Sequence, residues 1–260
     1  MRYFLELSYN GSRFHGWRSQ PNAESVQSTI EDALSIIFRE KISITGAGRT
    51  DTGVHALQMY AHFDLQNPIE GDSKFLLSLN SLVGKDIFIR RIIKTEENAH
   101  ARFDAVERTY KYFVTFTKTP FLKDFCWFSP SMLDFEKMNE AAKILLETKD
   151  FTSFAKLHSD TKTNICNVIE AIWRPIQDDK DAFRFLGSLN NDGMVFTISA
   201  DRFLRNMVRS VVGTLMEVGR NKISIEEFKG IIDKKNRCCA GTSMPAHGLF
   251  LWHIKYPFLS

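Results

Sequence analysis

A duplicated α/β architecture is what this sequence predicts. Strands and helices alternate, the alternation fills two halves of similar size, and each half opens on a strongly patterned strand. In the first half Tyr3, Leu5, Leu7 and Tyr9 alternate with Arg2, Phe4, Glu6 and Ser8, a period of two that ends at the Asn10-Gly11 turn. In the second Tyr110, Tyr112, Val114 and Phe116 alternate with Lys111, Phe113 and Thr115. The boundary is expected near residue 105, giving halves of 1–105 and 106–260, each long enough to bury a core of its own. No residue-level repeat relates them.

Between these two strands, Val26, Ile30, Leu34, Ile37 and Phe38 recur at helical spacing within Ser25 to Glu40. Strands are expected at Ile42 to Ile44 and Val54 to Leu65, a helix from Ser73 to Leu82 and a strand from Asp86 to Lys94. In the second half a helix from Asp134 to Thr148 has Asp134 as its N-cap and Phe135, Met138, Ala142, Leu145 and Leu146 as its buried stripe. Strands follow at Asn164 to Arg174, Phe183 to Leu186 and Met194 to Ala200, the last two joined by an Asn190-Asn191-Asp192-Gly193 hairpin. A long apolar helix, Phe203 to Val218, precedes a short one opened by the capping box Ser224 to Glu227, and the last strand is Leu249 to Tyr256.

Hydrophobic residues make up 43% of the 260 and charged residues 25%, which places the chain among folded globular proteins rather than disordered ones. The formal charge of +3 is mild, so a polyanion would have to be held by local concentrations such as Lys85 to Lys123 and Arg202 to Arg237. Solvated surface explains those runs as well. No run of about eighteen apolar residues occurs and the N-terminus reads as a strand, so no membrane span or signal peptide is expected and the location is taken as cytoplasmic. Cys126, Cys166, Cys238 and Cys239 form no CxxC pair and no zinc-like spacing, which points to free buried thiols and to no metal.

Chemistry is best sought in Gly46-Ala47-Gly48-Arg49-Thr50-Asp51-Thr52-Gly53-Val54-His55, which packs glycines, an arginine and a carboxylate between two strands. A turn whose glycines supply positive φ and whose Asp51 caps a backbone amide would account for it. A P-loop would need a Lys-Ser/Thr pair after the glycines, and a dinucleotide fingerprint would open onto a helix. A functional loop would hold an ionised aspartate that can attack an electrophilic carbon without a separate base. No second carboxylate stands nearby, against a two-acid glycosidase.

Two other segments bear on chemistry. From Arg102 to Tyr112 aromatic and basic residues interleave, as on surfaces that stack bases and hold phosphates; a core strand with a snorkelling flank fits the same pattern. Arg209 sits among Met207, Val208, Val211 and Val212 on an otherwise apolar helix, where a guanidinium needs a carboxylate partner. His15, Trp17 and Arg18 lie in a loop that could reach such a ligand, with packing an equal explanation for His15 and Trp17; His55 is taken as structural.

The run Gly48-Arg49-Thr50-Asp51-Thr52-Gly53-Val54-His55 resembles the signature loop of the tRNA pseudouridine synthase A family. It is joined in order by Phe14-His15-Gly16-Trp17, Ser25-Val26-Gln27, Ala101-Arg102-Phe103, Arg108-Thr109-Tyr110-Lys111-Tyr112, Asp150-Phe151-Thr152-Ser153-Phe154, Asn206-Met207-Val208-Arg209 with Gly213 and Leu215 to Gly219, and Gly248-Leu249. The resemblance spans nearly the whole chain. It implies a pseudouridine synthase fold: two tandem ferredoxin- or RRM-like halves, mainly antiparallel mixed sheets flanked by helices, with an active-site cleft between them.

The resemblance also implies roles. Asp51 matches the nucleophile, Arg49 the arginine that helps displace the target base, and Tyr110 the tyrosine that packs on the uracil and takes part in deprotonating C5. Arg209 matches the basic partner of the aspartate and Leu249 an apolar pocket residue. Thr52 stands where many relatives have Ala, and Thr109 where many have Arg, which removes one phosphate contact; the alignment is weakest over Phe121 to Pro130. The implied reaction converts uridine to pseudouridine at about positions 38 to 40 of the tRNA anticodon stem-loop, by a homodimer, with no cofactor or metal. Attack of Asp51 on C1′, attack on C6 and a glycal route all remain open. The rival readings are a non-catalytic RRM-like RNA-binding protein, which would carry an aromatic RNP1-type motif that is absent, and a nucleoside N-glycosidase, which would release free uracil.

Overall fold

The first strand, β1 (Arg2–Tyr9), is buried on both faces rather than one: Tyr3, Phe4, Leu5, Glu6 and Leu7 are all inaccessible. It is a central strand, with β3 (His55–Asp64) antiparallel on one side and β4 (Ile87–Thr95) antiparallel on the other. The computed structural model describes residues 1–157, 161–187, 189 and 192–259. These fold as two compact units, Met1–Val106 with Leu251–Ser260, and Glu107–Phe250.

The first unit runs β1, α1 (Val26–Phe38), β2 (Thr45–Gly46), β3, α2 (Asp72–Leu82) and β4, with strand order β4-β1-β3 and β2 pairing with β3. That βαββαβ order is the ferredoxin-like arrangement. The two helices cover the face carrying Tyr3 and Phe63, where Phe38 meets both Phe63 and Phe75. Ser25 caps α1 in a reciprocal box with Ser28. The expected strand at Ile42 to Ile44 does not form. The amides of Ile42 and Ile44 donate to Ser35 Oγ (3.0 Å) and Glu31 Oε1 (2.9 Å), so α1 side chains take the bonds a ladder would have used. The other sheet face buries Glu6, its carboxylate held by Arg91 and Gln58 and its pKa lowered as those bonds outweigh the opposing effect of burial.

The second unit runs β5 (Glu107–Thr115), β6 (Trp127–Phe128), α3 (Phe135–Glu147), β7 (Val168–Pro175), α4 (Lys180–Leu186), β8 (Met194–Ala200), α5 (Met207–Gly219) and α6 (Ile225–Asp233), and the chain ends on β9 (Leu249–Lys255). β8 lies antiparallel between β5 and β7, and β6 runs parallel to β5. Asp134 and the Ser224–Glu227 box cap α3 and α6 as expected. The expected strand Phe183 to Leu186 is instead part of α4: Asp179 Oδ1 accepts the Ala182 amide at 2.9 Å and caps a helix whose start overrides the Phe183/Phe185 alternation. Asn190 and Asn191 of the expected hairpin lie outside the described residues. α5 starts four residues late because Asn206 adopts a left-handed φ of 65°. Cys126 and Cys166 are buried free thiols, but Cys238 is exposed.

Both units tie a helix to an edge strand with one asparagine. Asn80 of α2 donates to Ile89 O (2.9 Å) and accepts the Ile89 amide (2.8 Å). Asn139 of α3 does the same with Trp173 (3.1 and 2.7 Å). Each carboxamide substitutes for a missing strand neighbour and blunts the edge. Asn139→Ala, which leaves both groups of Trp173 unpaired, is expected to lower stability by about 1–3 kcal/mol in urea denaturation. A loss below a few tenths would show that solvent satisfies them instead.

Candidate active site

In the first unit, the loop between β2 and β3 carries Arg49 and Asp51. Its conformation is set by a second segment, Phe14 to Trp17, laid against it backbone to backbone. The Trp17 amide donates to Thr50 O (3.2 Å) and the Gly53 amide to Phe14 O (3.3 Å). Between these two bonds, Gly16 has a φ of +87°, and a Cβ there would stand 2.5 Å from Thr50 O. Trp17 is buried between the Tyr9 ring and the face of Gly46, and Tyr9 Oη shares a buried hydrogen bond with Thr50 Oγ1 (2.9 Å). Trp17 is therefore a scaffold residue, while His15 and Arg18 remain exposed.

The loop closes in a turn from Asp51 to Val54, with the Val54 amide donating to Asp51 O (3.1 Å) and Gly53 at the third position with φ +78°. Asp51 is half-buried at the head of this turn and Arg49 is exposed. His55 is fully buried, and its Nδ1 accepts the Gly11 amide at 3.0 Å, which leaves the ring proton of the neutral form on Nε2. It pins the loop's exit and is structural.

In the second unit, Tyr110 lies on β5 opposite Ile198, half-buried, its ring edge-on to Phe203 at 5.0 Å. Its neighbours show that the Lys111–Tyr112 end of the basic and aromatic interleaving belongs to the core. Lys111 is buried in an ion pair with Asp179, and Tyr112 is fully buried. Arg209 sits on the first turn of α5. Its Nε donates to Met244 O (2.6 Å), while the Met244 amide donates to Arg209 O (3.0 Å). A strap from Gly241 to Gly248 thus runs along α5 and leads directly into Leu249, which is buried.

The strap is fastened at intervals. The Gly241 amide donates to Thr214 Oγ1 (2.9 Å), Asn206 and Arg237 both donate to Ser243 Oγ (2.6 and 2.9 Å), and Tyr112 Oη donates to Pro245 O (3.1 Å). Thr242 O lies where a Cβ of Gly213 would be, so this contact requires the glycine. Burial pushes the Tyr112 phenol up, well above the usual range, against an opposing pull from the Arg209 charge, so it stays a neutral donor. Sequence reasoning missed the strap. Its signal is the trio Gly213, Gly241 and Gly248, whose role shows only once their contacts are known.

Asp51 and Arg49 thus share one loop of the first unit, and Tyr110, Arg209 and Leu249 are presented by β5, α5 and the start of β9. Among the described residues no group of three or more His, Cys, Asp or Glu side chains is placed to hold a metal ion, and no helix is long and apolar enough to cross a membrane.

The clamp on the Asp51 loop depends on Gly16. Gly16→Ala is expected to lower stability by about 1–3 kcal/mol, because the alanine is strained at this φ and its methyl meets Thr50 O. Hydrogen-exchange protection of the Trp17 and Gly53 amides should fall with it. Unchanged protection at both would show that the loop is held by something other than this approach.

Comparison with known proteins gives one answer over the whole chain. A family profile described as tRNA pseudouridine synthase matches residues 141–257. The chain is 52% identical over 257 residues to the tRNA pseudouridine synthase A of Parabacteroides distasonis, covering 98% of this chain and 96% of that protein. It is 48% identical to that of Bacteroides fragilis with the same coverage. It is 35% identical to that of Bacillus subtilis, covering 98% and 99%. With near-complete coverage of both partners at these identities, and with the signature loop in place, the chain belongs to the tRNA pseudouridine synthase A family.

Proposed function

We propose that this enzyme isomerises uridine to pseudouridine in the anticodon stem-loop of tRNA, with Asp51 as nucleophile. The observation that carries the reading is the Asp51 turn itself: a half-buried carboxylate at the head of a loop that a second backbone segment holds rigid, in a chain of this family. A nucleophile must be held in near-attack geometry to within a fraction of an ångström, and a loop fixed by its backbone does this before substrate arrives.

The reaction breaks the N1–C1′ bond, turns the uracil and joins C5 to C1′; C5 loses a proton and N1 gains one. Nothing is oxidised or reduced, so the carboxylate and a proton acceptor suffice, without cofactor. Asp51 supplies the negative charge, by attack at C1′ or C6 or by stabilising a glycal route. Tyr110 packs on the uracil and takes part in removing the C5 proton. Arg209 is the basic partner of the carboxylate, its side chain oriented by the bond from Nε to Met244 O. Leu249 lines the pocket and Arg49 helps displace the base from its stack, where flipping costs a few kcal/mol. The active form is a homodimer in the cytoplasm, binding tRNA by phosphate contacts outside the pocket. The family resemblance supports these assignments.

Incubation of the enzyme with unmodified tRNA, followed by position-resolved pseudouridine mapping, tests reaction and target together. Pseudouridine in the anticodon stem-loop is expected; free uracil would instead show glycosidic cleavage.

Asp51→Asn should abolish turnover, by a factor of at least about a thousand in single-turnover rate, with melting temperature and tRNA affinity nearly unchanged, because the amide keeps the size and removes the nucleophile. Substantial product from this variant would refute the assignment.

Arg209→Met should slow single turnover by about tenfold or more at saturating tRNA. In a double-mutant cycle with Asp51→Asn its effect should vanish, since a cation that acts through the carboxylate has nothing left to act on. Additive effects would mean that Arg209 acts elsewhere.

A further inference from the structure

The segment following β4 in the first unit presents an aromatic ring to solvent on a rigid mount. The His100 amide donates to Asp104 Oδ2 (2.7 Å), and the amides of Arg102 and Phe103 both donate to His100 Nδ1 (3.1 and 3.3 Å). The Ala101 amide donates to His62 Nδ1 (3.1 Å), and Ala101 O accepts from the Tyr256 hydroxyl. Five consecutive residues are thereby fixed. Phe103 is nevertheless 73% exposed.

Rings stack beneath it. His62 meets His100 edge-on at 4.7 Å, His100 lies 4.3 Å from Phe103 at an interplanar angle of 33°, and the Arg102 guanidinium stands 5.6 Å from the Phe103 centroid. Burial lowers the pKa of both imidazoles, His62 to about 4, with the Arg2 charge adding to it, so the column is neutral up to the guanidinium. A phenylalanine serving the core would be buried, and one on a loose loop could fold back. This one does neither.

We propose that Phe103, flanked by Arg102, is a stacking platform for an unpaired base of the RNA substrate, distinct from the target uridine. The reading rests on the proposed action on tRNA. An open aromatic face beside a guanidinium is the pair by which single-stranded nucleotides are held, the ring taking the base and the cation the phosphate. The platform is remote from the nucleophile along the same strand. His55 leaves the Asp51 loop and His62 lies seven residues on, roughly 24 Å at the usual strand rise of about 3.4 Å per residue. A base that stacks here is several nucleotides from the one being isomerised. A second copy of this chain is a poorer occupant, because a stable protein interface needs a broad apolar area and the platform offers one ring among polar neighbours.

The test is equilibrium binding of unmodified tRNA to the full chain carrying Phe103→Ala, Phe103→Leu or Phe103→Trp, each also in the Asp51→Asn background so that binding is read without turnover. Loss of the ring should weaken binding by about 5- to 100-fold, the range for one base–aromatic stack. Phe103→Leu should weaken it nearly as much, and Phe103→Trp should retain wild-type affinity. Wild-type affinity in Phe103→Ala would overturn the platform, as would full rescue by leucine. A change of sedimentation with RNA affinity intact would assign the ring to a protein interface and overturn it equally. Absence of pseudouridine formation by the wild-type enzyme would defeat the proposed reaction while leaving this binding result to be read separately.

Discussion

The shape of the Asp51 loop in the first unit depends on one close approach of two backbones. Trp17 and Phe14 exchange hydrogen bonds with Thr50 and Gly53, and Gly16 lets them come close enough to do so. Everything around this contact supports it. Tyr9 reaches Thr50 from β1, Trp17 fills the space above Gly46, and His55 ties the loop's exit to Gly11. Backbone-to-backbone bonds carry no side-chain rotamers, so the turn bearing Asp51 loses little conformational entropy when substrate binds. The carboxylate stands half-buried at the head of a turn whose backbone is already engaged in holding shape.

The second unit reaches the same end by different means. Arg209 lies on a helix, and a helix alone would leave a long guanidinium stem free to sample several rotamers. The strap removes that freedom by accepting Nε at Met244 O while returning the Met244 amide to the Arg209 carbonyl. Tyr112 then holds the next carbonyl, at Pro245, from the opposite side. Part of the compensation for the apolar setting of Arg209 thus comes from a backbone carbonyl. Leu249 follows immediately after the strap, so the segment that orients the arginine also places this buried leucine.

Much of this was legible in the sequence. Helix caps such as Asp134 and the Ser224–Glu227 box are local chemistry, and they appear where the pattern puts them. The alternating strands appear too, and burial of Glu6 and Phe4 leaves β1 covered on both faces. What failed was decided by side-chain partners that an alternating pattern does not register. Ile42 to Ile44 has strand composition but gives its amides to Ser35 and Glu31. Phe183 and Phe185 alternate like a strand but follow Asp179, whose cap starts a helix. The run around Lys111 fitted a core strand or a nucleic-acid surface alike, because the carboxylate that pairs with Lys111 is far along the chain. The signature loop could be recognised; its clamp could not, because a glycine's role is set by what approaches it.

The two units share packing devices but not the positions of their candidate site residues. Both units have helices packed on an antiparallel sheet and an asparagine strapping a helix to an edge strand, at Asn80 and Asn139. Yet the candidate site residues occupy unlike positions: in the first unit a turn between the second and third strands, in the second the first strand, the second long helix and the segment after it. The shared parts are those that solve a problem every such sheet has, covering one face and closing an edge. The parts that differ are loops and helix ends, where a backbone can be bent without disturbing the ladder. In the first unit that bending yields a turn tight enough to hold a short aspartate. In the second it yields a strap long enough to fix an arginine, because a long, flexible cation needs more contacts than a short carboxylate to reach the same precision.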